Sequence, residues 1–326
     1  MSLFKVVVSD YDYPDLEIEK SILEPIGAEV VGAQCKTGAG LNVVARNADA
    51  ILIQYARVGR DTIEALKKCR VLCRYGAGVD IVDVKAAYEK GIMITNVPYY
   101  CIEEVACHAL TLAFTLLRRI PMYDRSTKEG KWHWSNSGLP IHRFSSMTFG
   151  LVGFGRISHK LTELLKPFGF KIICYDPYVD NQDMKKMGVT KVDFDNLLTF
   201  SDAVSIHCPL TEDTRHLFGE EELSRMKRGA VLVNCARGPI INNKALYQAL
   251  FKGWIGGAGL DDPEEEPAKL DNWDPRENPI FSLENCIVTP HAAYYSEESI
   301  VEARKTAAEE AAAVLTGRQP RYLVRP

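Results

Sequence analysis

One stretch, 147–176, restricts the fold of this chain more than any other. A short apolar run, Thr148 to Val152, predicts a buried strand, and Gly153-Phe-Gly155 then turns the chain into a segment with apolar residues at helical spacing. A second apolar strand, Lys171 to Tyr175, ends at Asp176. A strand, a glycine turn, a helix, a strand and an acid within about 30 residues are the parts of a dinucleotide-binding unit.

The glycines and the acid of this unit suit a dinucleotide. Gly153 permits a tight turn, Gly155 lets the backbone approach a pyrophosphate, and the free N–H groups at the helix start face the phosphates. Asp176 can accept hydrogen bonds from a ribose diol and repels a 2′-phosphate, so NAD is favoured over NADP. Ser158 replaces the third glycine of the fingerprint and weakens the motif. The alternative is a glycine-rich turn in another kind of parallel α/β domain.

Length and composition narrow the class of protein further. A chain of 326 residues indicates two domains, and a net charge of −4 without a basic block argues against a nucleic-acid partner. No apolar run of roughly 18 residues predicts a membrane span, and the first residues lack the pattern of a secretory signal. The nine cysteines form no C-x-x-C pair and no zinc-type cluster. We therefore expect reduced thiols, a cytoplasmic location and no metal site.

Strand and helix patterns alternate along the chain, which predicts an α/β fold of two doubly wound, parallel-sheet domains. We assign 1–98 with 296–326 to one domain and 99–295 to the dinucleotide-binding domain. Long helical patterns at Tyr99–Arg119 and Glu297–Leu315 would form the crossovers. Other strands are predicted at Phe4–Val8, Ala50–Gln54, Val71–Arg74, Met93–Thr95, Ala203–His207, Ala230–Asn234, Ile255–Leu260 and Cys286–Thr289.

Two local predictions concern helix starts and a long connection. Asp61 and Asp83 are predicted N-caps of short helices in the first domain. Residues 121–146 are polar and aromatic, and they are long for a simple loop. Trp132 and Trp134 on this segment predict packing onto the neighbouring domain or onto a second subunit, and we favour a homodimer contact.

Several predicted strands of the second domain end at residues suited to chemistry. Arg237 follows a buried strand and suits a bidentate grip on a substrate carboxylate. Asp261 is placed to bond a nicotinamide carboxamide, and His291 follows Pro290 with its ring free to reach a cleft. One glutamate of 264–266 would pair with His291, although a solvated loop also explains this run. Ligands of open α/β sheets bind beyond the carboxyl ends of the strands, so we expect these residues to meet.

Two features of the remaining chain have competing interpretations. The loop Arg74-Tyr-Gly76-Ala-Gly78 follows a strand and exposes backbone N–H groups that can hold a carboxylate. A tight strand-to-helix turn explains it equally well. His108, inside the helix Tyr99–Arg119, is predicted to be a hydrogen-bonded histidine at the domain interface and not a catalytic one.

Together these motifs resemble the D-isomer-specific 2-hydroxyacid dehydrogenases over nearly the full length. Within that family, YDPY at 175–178 and HAAYYSEE at 291–298 resemble the C-terminal binding protein and phosphoglycerate dehydrogenase-like branch. The motifs are Arg74-x-Gly-x-Gly78-x-Asp80, Asn96-Val-Pro98, Gly153-x-Gly155-x-Ile157, Asp176-Pro177, Cys208–Thr211, Asn234-x-Ala-Arg237-Gly238, Leu260-Asp261, Glu266-Pro267 and Pro290-His291-Ala.

The resemblance implies a flavodoxin-like substrate domain, a Rossmann NAD-binding domain, a cleft between them and a homodimer formed through the NAD-binding domain. It assigns catalysis to Arg237, Glu266 and His291. It assigns the substrate to Tyr75, Gly76, Ala77 and Arg237. It assigns NAD to Ala77, Gly153, Gly155, Arg156, Ile157, Asp176, Cys208, Pro209, Thr214, Cys235, Ala236, Asp261, His291 and Ala293.

The implied reaction is reversible hydride transfer between NAD(H) and C2 of a small D-2-hydroxy or 2-oxo acid. Arg237 would bind the carboxylate, His291 would exchange a proton with the oxygen, and Glu266 would hold the imidazole tautomer. The sequence departs from the family pattern at Ser158, Cys107, Asp262-Pro263 and Tyr294.

Two alternatives share the fold. The first is an NAD(H)-sensing scaffold with little turnover, as in the animal corepressors of the C-terminal binding protein branch. The second is oxidation of another small anion, as in the related formate and phosphite dehydrogenases. The intact catalytic trio favours a working enzyme that acts on a hydroxy acid.

Overall fold

The computed structural model describes residues 2–35, 38–138, 140–267 and 272–326. The chain divides into two compact units, Met1–Cys101 with Tyr295–Pro326, and Ile102–Tyr294. Each unit is built on one sheet of mostly parallel strands flanked by helices. The predicted α/β class with two doubly wound domains is therefore confirmed.

The elements are numbered in chain order. The strands are β1 Phe4–Val8, β2 Ala28–Gly32, β3 Ala50–Ile53, β4 Val71–Arg74, β5 Met93–Thr95, β6 Thr148–Val152, β7 Lys171–Tyr175, β8 Thr190–Lys191, β9 Ala203–Ile206, β10 Val231–Asn234, β11 Gly257–Leu260, β12 Cys286–Val288 and β13 Leu323–Val324. The helices are α1 Glu17–Leu23, α2 Gly38–Val44, α3 Arg60–Ala65, α4 Val84–Glu89, α5 Ile102–Leu117, α6 Ile120–Lys128, α7 Arg156–Leu165, α8 Asn181–Lys186, α9 Phe194–Phe200, α10 Glu220–Arg225, α11 Asn243–Phe251 and α12 Glu297–Leu315.

The first unit has the strand order β13-β5-β4-β3-β1-β2. The order β2-β1-β3-β4-β5 is that of flavodoxin-like sheets, and all of these pairs are parallel. β13 joins the edge antiparallel, with Leu323 opposite Thr95. The C-terminal segment thus returns to the sheet that the N-terminal segment begins.

Successive residues of the first sheet alternate between two cores, as the pleat requires. Val6 and Val8 face the side covered by α1 and α12, whereas Val7 faces the side covered by α2, α3 and α4. On the first side, Arg304 of α12 donates two hydrogen bonds to the fully buried Glu19 of α1, at 2.9 and 2.7 Å. This buried ion pair fixes how the two helices pack.

The second unit has the strand order β12-β11-β10-β9-β6-β7-β8, all parallel. The chain adds β7 and β8 on one side of β6 and then crosses to add β9 on the other side. The topological switch point therefore lies between β6 and β9. One face is covered by α5 and α7, with Leu112 and Leu161 in the core. The other is covered by α9, α10 and α11, with Leu198 and Leu246 buried.

Some predicted local features differ from the structure. Asp61 is not an N-cap, because α3 begins at Arg60 and is capped by the backbone of Gly59. Asp83 does cap α4, since its side chain accepts a hydrogen bond from the Ala86 N–H. The segment 121–146 was predicted to be too long for a simple loop, and α6 takes up its first third; residue 139 lies outside the described residues.

The described ranges contain no helix with the length and apolar character to cross a bilayer. In the same part of the chain, His, Cys, Asp and Glu side chains form no group of three that could hold a metal ion.

Candidate active site

The turn after β6 can be made only by glycine. Gly153 has φ of +89°, and a Cβ at this position would lie 2.9 Å from the Cys208 nitrogen. The β6 turn therefore touches the backbone that follows β9, at the switch point of the sheet. Ser158 is fully buried, and its hydroxyl donates to the Gly153 carbonyl at 2.6 Å. The residue that departs from the glycine fingerprint is thus a hydrogen-bonded part of the turn.

The start of α7 is open. Gly155 is its N-cap in extended backbone, and a Cβ there would meet no atom of the described residues within 4 Å. Glycine has no side chain to cap the first N–H groups of this helix, which begins with Arg156 and Ile157. An open helix N-terminus with room above its glycine fits a pyrophosphate.

Asp176 hydrogen-bonds both to the loop after β6 and to the loop after β7, next to the start of α7. Its Oδ2 accepts from the Phe154 N–H at 2.8 Å, and its Oδ1 accepts from the N–H groups of Tyr178 and Val179 at 2.8 and 3.2 Å. A carboxylate has about four acceptor positions, so capacity for a ribose hydroxyl is left. The negative charge disfavours a 2′-phosphate at the same place.

The turn after β9 carries the predicted contacts Cys208, Pro209 and Thr214. The Thr214 hydroxyl donates to the Pro209 carbonyl at 2.7 Å and so closes this turn. Burial raises the pKa of the Cys208 thiol to about 11. The thiol is therefore protonated and uncharged at neutral pH, and it lines the turn as a small apolar side chain.

His207, in the same turn, is a buried neutral histidine. Its Nε2 lies 2.8 Å from the Ser205 hydroxyl, and its buried Nδ1 has no partner among the described residues. Burial lowers the pKa of His207 to about 4. The folded protein therefore leaves the imidazole uncharged at pH values where an unfolded chain, with a pKa near 6.5, protonates it.

This shift predicts a pH-dependent stability. Between pH 6.5 and 4 the unfolded state binds the extra proton, so the free energy of unfolding falls as pH falls, by up to about 3 kcal/mol in total. We expect the urea midpoint of the wild type to drop more steeply between pH 7 and 4.5 than that of H207N. Parallel pH dependences of the two proteins would contradict the assignment.

A buried asparagine builds the turn after β10. Asn234 donates through Nδ2 to the Arg237 carbonyl at 2.8 Å and accepts at Oδ1 from the Ala236 N–H at 3.0 Å. Arg237 itself donates through Nη1 to the Ala236 carbonyl at 2.8 Å. Burial raises the pKa of the neighbouring Cys235 thiol well above its usual range. Asn234 was expected only as part of a motif, and its role in building this turn was not predicted.

The Arg237 turn touches the segment that carries the acidic run. A Cβ on Gly238 would lie 2.0 Å from the Pro263 carbonyl oxygen, so only glycine permits this contact between the two backbones. Glu264 is hydrogen-bonded to His216 Nε2, and Glu265 accepts from the side chains of Asn243 and Asn278. Two of the three glutamates thus anchor the loop.

Asp261 shapes the turn that holds His291. Its carboxylate accepts from the N–H groups of Ala292 and Ala293 at 2.9 and 2.8 Å and from the Thr289 hydroxyl at 2.6 Å. The same hydroxyl lies 2.9 Å from His108 Nε2. His108 is therefore a hydrogen-bonded histidine of the second unit, in line with the non-catalytic interpretation. Thr289, which links the two, was not singled out from the sequence.

His291 and Glu266 both have left-handed backbone conformations, with φ of +53° and +51°. Non-glycine residues adopt this conformation rarely, and such strain is concentrated at functional sites. His291 Nδ1 lies 3.1 Å from Asp262 Oδ2, and its ring packs edge-on against Tyr294. The predicted partner of His291 was one glutamate of 264–266, and Asp262 lies outside that run.

The loop after β4 in the first unit presents N–H groups. The carbonyls of Tyr75, Gly76 and Ala77 accept from Arg74, Val97 and Asn96, at 2.6, 2.9 and 2.7 Å. Within the described ranges nothing accepts from the N–H groups of Ala77 and Gly78. The Tyr75 ring is buried, with its hydroxyl donating to Glu19 at 3.0 Å. The loop thus presents the backbone N–H groups of Ala77 and Gly78, and not the Tyr75 hydroxyl, to an anion.

Comparison with known proteins agrees with this geometry. The family model of the D-isomer-specific 2-hydroxyacid dehydrogenase NAD-binding domain matches residues 110–293. A glyoxylate reductase of Korarchaeum cryptofilum is 40% identical over 269 residues, which cover 82% of this chain and 79% of that protein. The chain belongs to the D-isomer-specific 2-hydroxyacid dehydrogenase family.

Two further relatives agree with this family assignment. A D-3-phosphoglycerate dehydrogenase of Methanocaldococcus jannaschii is 38% identical over 318 residues, which cover 97% of this chain and 58% of that longer protein. The crystal structure of a D-lactate dehydrogenase from Aquifex aeolicus, complexed with NAD and lactic acid, has a TM-score of 0.86 at 27% identity and 96% coverage of both chains. This member of the family is thus an NAD-dependent oxidoreductase, and these relatives give no support to the corepressor alternative.

Proposed function

We propose that this dehydrogenase reduces a small 2-oxo acid to the D-2-hydroxy acid with NADH, and catalyses the reverse reaction with NAD. One observation carries the proposal. The turn of Arg237 lies in backbone contact with the segment 262–266, and the same segment is hydrogen-bonded to His291. A forked cation, an imidazole and carboxylates are thus built into adjoining turns at the carboxyl ends of β10, β11 and β12.

Each group suits one part of the reaction. The Arg237 guanidinium binds the substrate carboxylate in bidentate fashion and polarises the neighbouring oxo group. The His291 imidazole, protonated before reduction, donates its proton to the oxygen that forms the hydroxyl; in the other direction it removes that proton. Glu266, which is buried, is the third member of the trio. The N–H groups of Ala77 and Gly78 are proposed to bind the carboxylate of the substrate.

The second unit has the features that NAD requires. The open N-terminus of α7 at Gly155, Arg156 and Ile157 would hold the pyrophosphate, and Asp176 would hold the adenosine ribose. The turns at Cys208–Thr214, Cys235–Ala236 and Asp261–Ala293 would line the nicotinamide side. Bound cofactor supplies the hydride, and the chain supplies orientation and charge.

The test is NADH oxidation, followed by absorbance, with glyoxylate, pyruvate, hydroxypyruvate, phosphohydroxypyruvate and longer 2-oxo acids, with NADPH in parallel. We expect turnover of at least one of these acids and a clear preference for NADH, because Asp176 repels a 2′-phosphate. Turnover of formate or phosphite with NAD and of none of these acids would overturn the proposed substrate class. Selective use of NADPH would overturn the role of Asp176.

We also propose that the protein is a cytoplasmic homodimer assembled through its NAD-binding unit. Trp132 and Trp134 are 87% and 77% exposed, which is unusual for side chains of this size. All nine cysteines are free thiols, as expected in a reducing compartment. Light scattering should give twice the chain mass of 36.4 kDa. Replacing both tryptophans with serine should give the monomer, and a monomeric wild type would contradict the proposal.

A further inference from the structure

Asp262 is a buried acid beside the proposed catalytic histidine. It directly follows Asp261 at the end of β11 and is only 5% exposed. Its Oδ2 lies 3.1 Å from His291 Nδ1. A buried carboxylate is unfavourable unless a hydrogen bond or an opposite charge compensates it. The contact with the imidazole is the compensation that the structure shows.

The Asp262 carboxylate stands at a buried place, where it lowers stability if it serves no purpose. Such a local conflict with packing is expected at functional sites more than elsewhere. Its contact with His291 Nδ1 therefore points to a role in the chemistry of that histidine.

The backbone holds both partners of this contact rigidly. The N–H of His291 donates to the Asp261 carbonyl at 2.7 Å, and the Asp261 carboxylate binds the next two N–H groups of the His291 turn. On the other side of Asp262, the Pro263 carbonyl lies against Gly238. Asp262 is thus fixed between the turn of His291 and the turn of Arg237.

We propose that Asp262 is a second positioning residue for His291, in addition to Glu266. Its carboxylate accepts a hydrogen bond from Nδ1–H, so Nε2 is the nitrogen that exchanges a proton with the substrate oxygen. When His291 is protonated, the negative charge of Asp262 stabilises the imidazolium. The Nδ1–H group keeps its hydrogen bond to Asp262 while the proton on Nε2 is transferred to the substrate oxygen. This inference rests on the proposed dehydrogenase function, since it concerns the acid–base group of that reaction.

The first test is the tautomer of His291. In ¹⁵N-histidine-labelled protein at pH 8, long-range ¹H–¹⁵N correlation spectra distinguish a proton on Nδ1 from one on Nε2, and H291N identifies the signal. We expect the Nδ1–H form in the wild type and a loss of that preference in D262N. A wild-type His291 with its proton on Nε2 would overturn the inference, whether or not any variant folds.

The second test is kinetic. D262N is expected to lower kcat for the best 2-oxo acid on the order of ten- to a hundredfold, with KM and NADH affinity changed less than about threefold. D202N is the matched control, because Asp202 is a half-buried acid directly before β9 of the same unit, which accepts from the Thr148 N–H and pairs with Lys227. We expect D202N to keep its kcat.

The outcomes separate the two proposals. An active wild type, a D262N variant with unchanged kcat and an unchanged tautomer would overturn the role of Asp262 and leave the dehydrogenase intact. A wild type that turns over none of the acids would overturn the proposed function, and the spectrum would still decide whether Asp262 holds Nδ1–H. An equal fall of kcat in D202N and D262N would show a general structural effect and would contradict the inference.

Discussion

Replacing His291 with asparagine is expected to lower kcat on the order of a thousandfold and to leave the NADH dissociation constant within about a factor of three. Asparagine tolerates the left-handed backbone that His291 adopts at φ of +53°, so the turn should persist. It cannot carry a proton to the substrate oxygen at neutral pH. The loss should therefore fall on the chemical step, measured by NADH oxidation and by NADH fluorescence titration.

The chain contains a matched control for this variant. His216 also has a left-handed backbone, at φ of +55°, and is also paired with an acid, Glu264. It belongs to the same unit, but it is assigned no part in the reaction. H216N should retain nearly wild-type kcat. If H291N keeps near-wild-type turnover on the true substrate, or if H216N loses as much as H291N, the proposed acid–base role is wrong.

Replacing Gly155 with alanine is expected to weaken NADH binding roughly ten- to a hundredfold without lowering the free energy of unfolding of the free protein by more than about 1 kcal/mol, the usual cost of alanine at a helix N-cap. The added methyl group meets no atom of the described residues within 4 Å beyond its own helix start, and the extended backbone accepts any residue. We therefore expect the methyl group to clash with a bound ligand and not with the folded chain. Calorimetric NADH titration and thermal unfolding of the free protein measure the two effects.

Gly59 provides the control. It is the N-cap of α3 in nearly the same conformation as Gly155, and a Cβ on it also meets nothing within 4 Å. G59A changes the same kind of helix start and should leave NADH affinity unchanged. G153A differs from both, because its methyl group would strike the backbone at Cys208, and it should lose stability as well as binding. Equal NADH affinities of G155A and the wild type would contradict the placement of the pyrophosphate.

The buried parallel strands were the part of the fold that the sequence predicted best. β1, β4, β6 and β7 lie at the predicted residues, because a strand covered on both faces is a continuous apolar run with clear ends. β2 was not predicted, since only part of it is apolar and buried. α6 was not predicted. It begins after Arg119, whose φ of +57° interrupts the helical backbone, and the sequence has no clear signal for such an interruption.

The sequence was sufficient to predict which turns carry the site residues, but not how those residues contact one another. Strand ends, glycines and an arginine after a buried strand placed Arg237, Asp261 and His291 at one edge of one sheet. The bonds between these turns were not predictable. The contact of Asp262 with His291 and the link from Asp261 to Thr289 depend on side-chain directions in turns with unusual backbone angles, and residue spacing does not encode those directions.

The most direct test of the account uses NADH carrying deuterium at both C4 positions. The wild-type enzyme is given the 2-oxo acid, other than glyoxylate, that it reduces fastest, so that the product has a stereocentre at C2. The product is separated on a chiral column and analysed by mass spectrometry and NMR. We predict a single D-2-hydroxy acid with one deuterium, bonded to C2. A product of L configuration, or one without deuterium at C2, would contradict hydride transfer by a D-specific site built on Arg237 and His291.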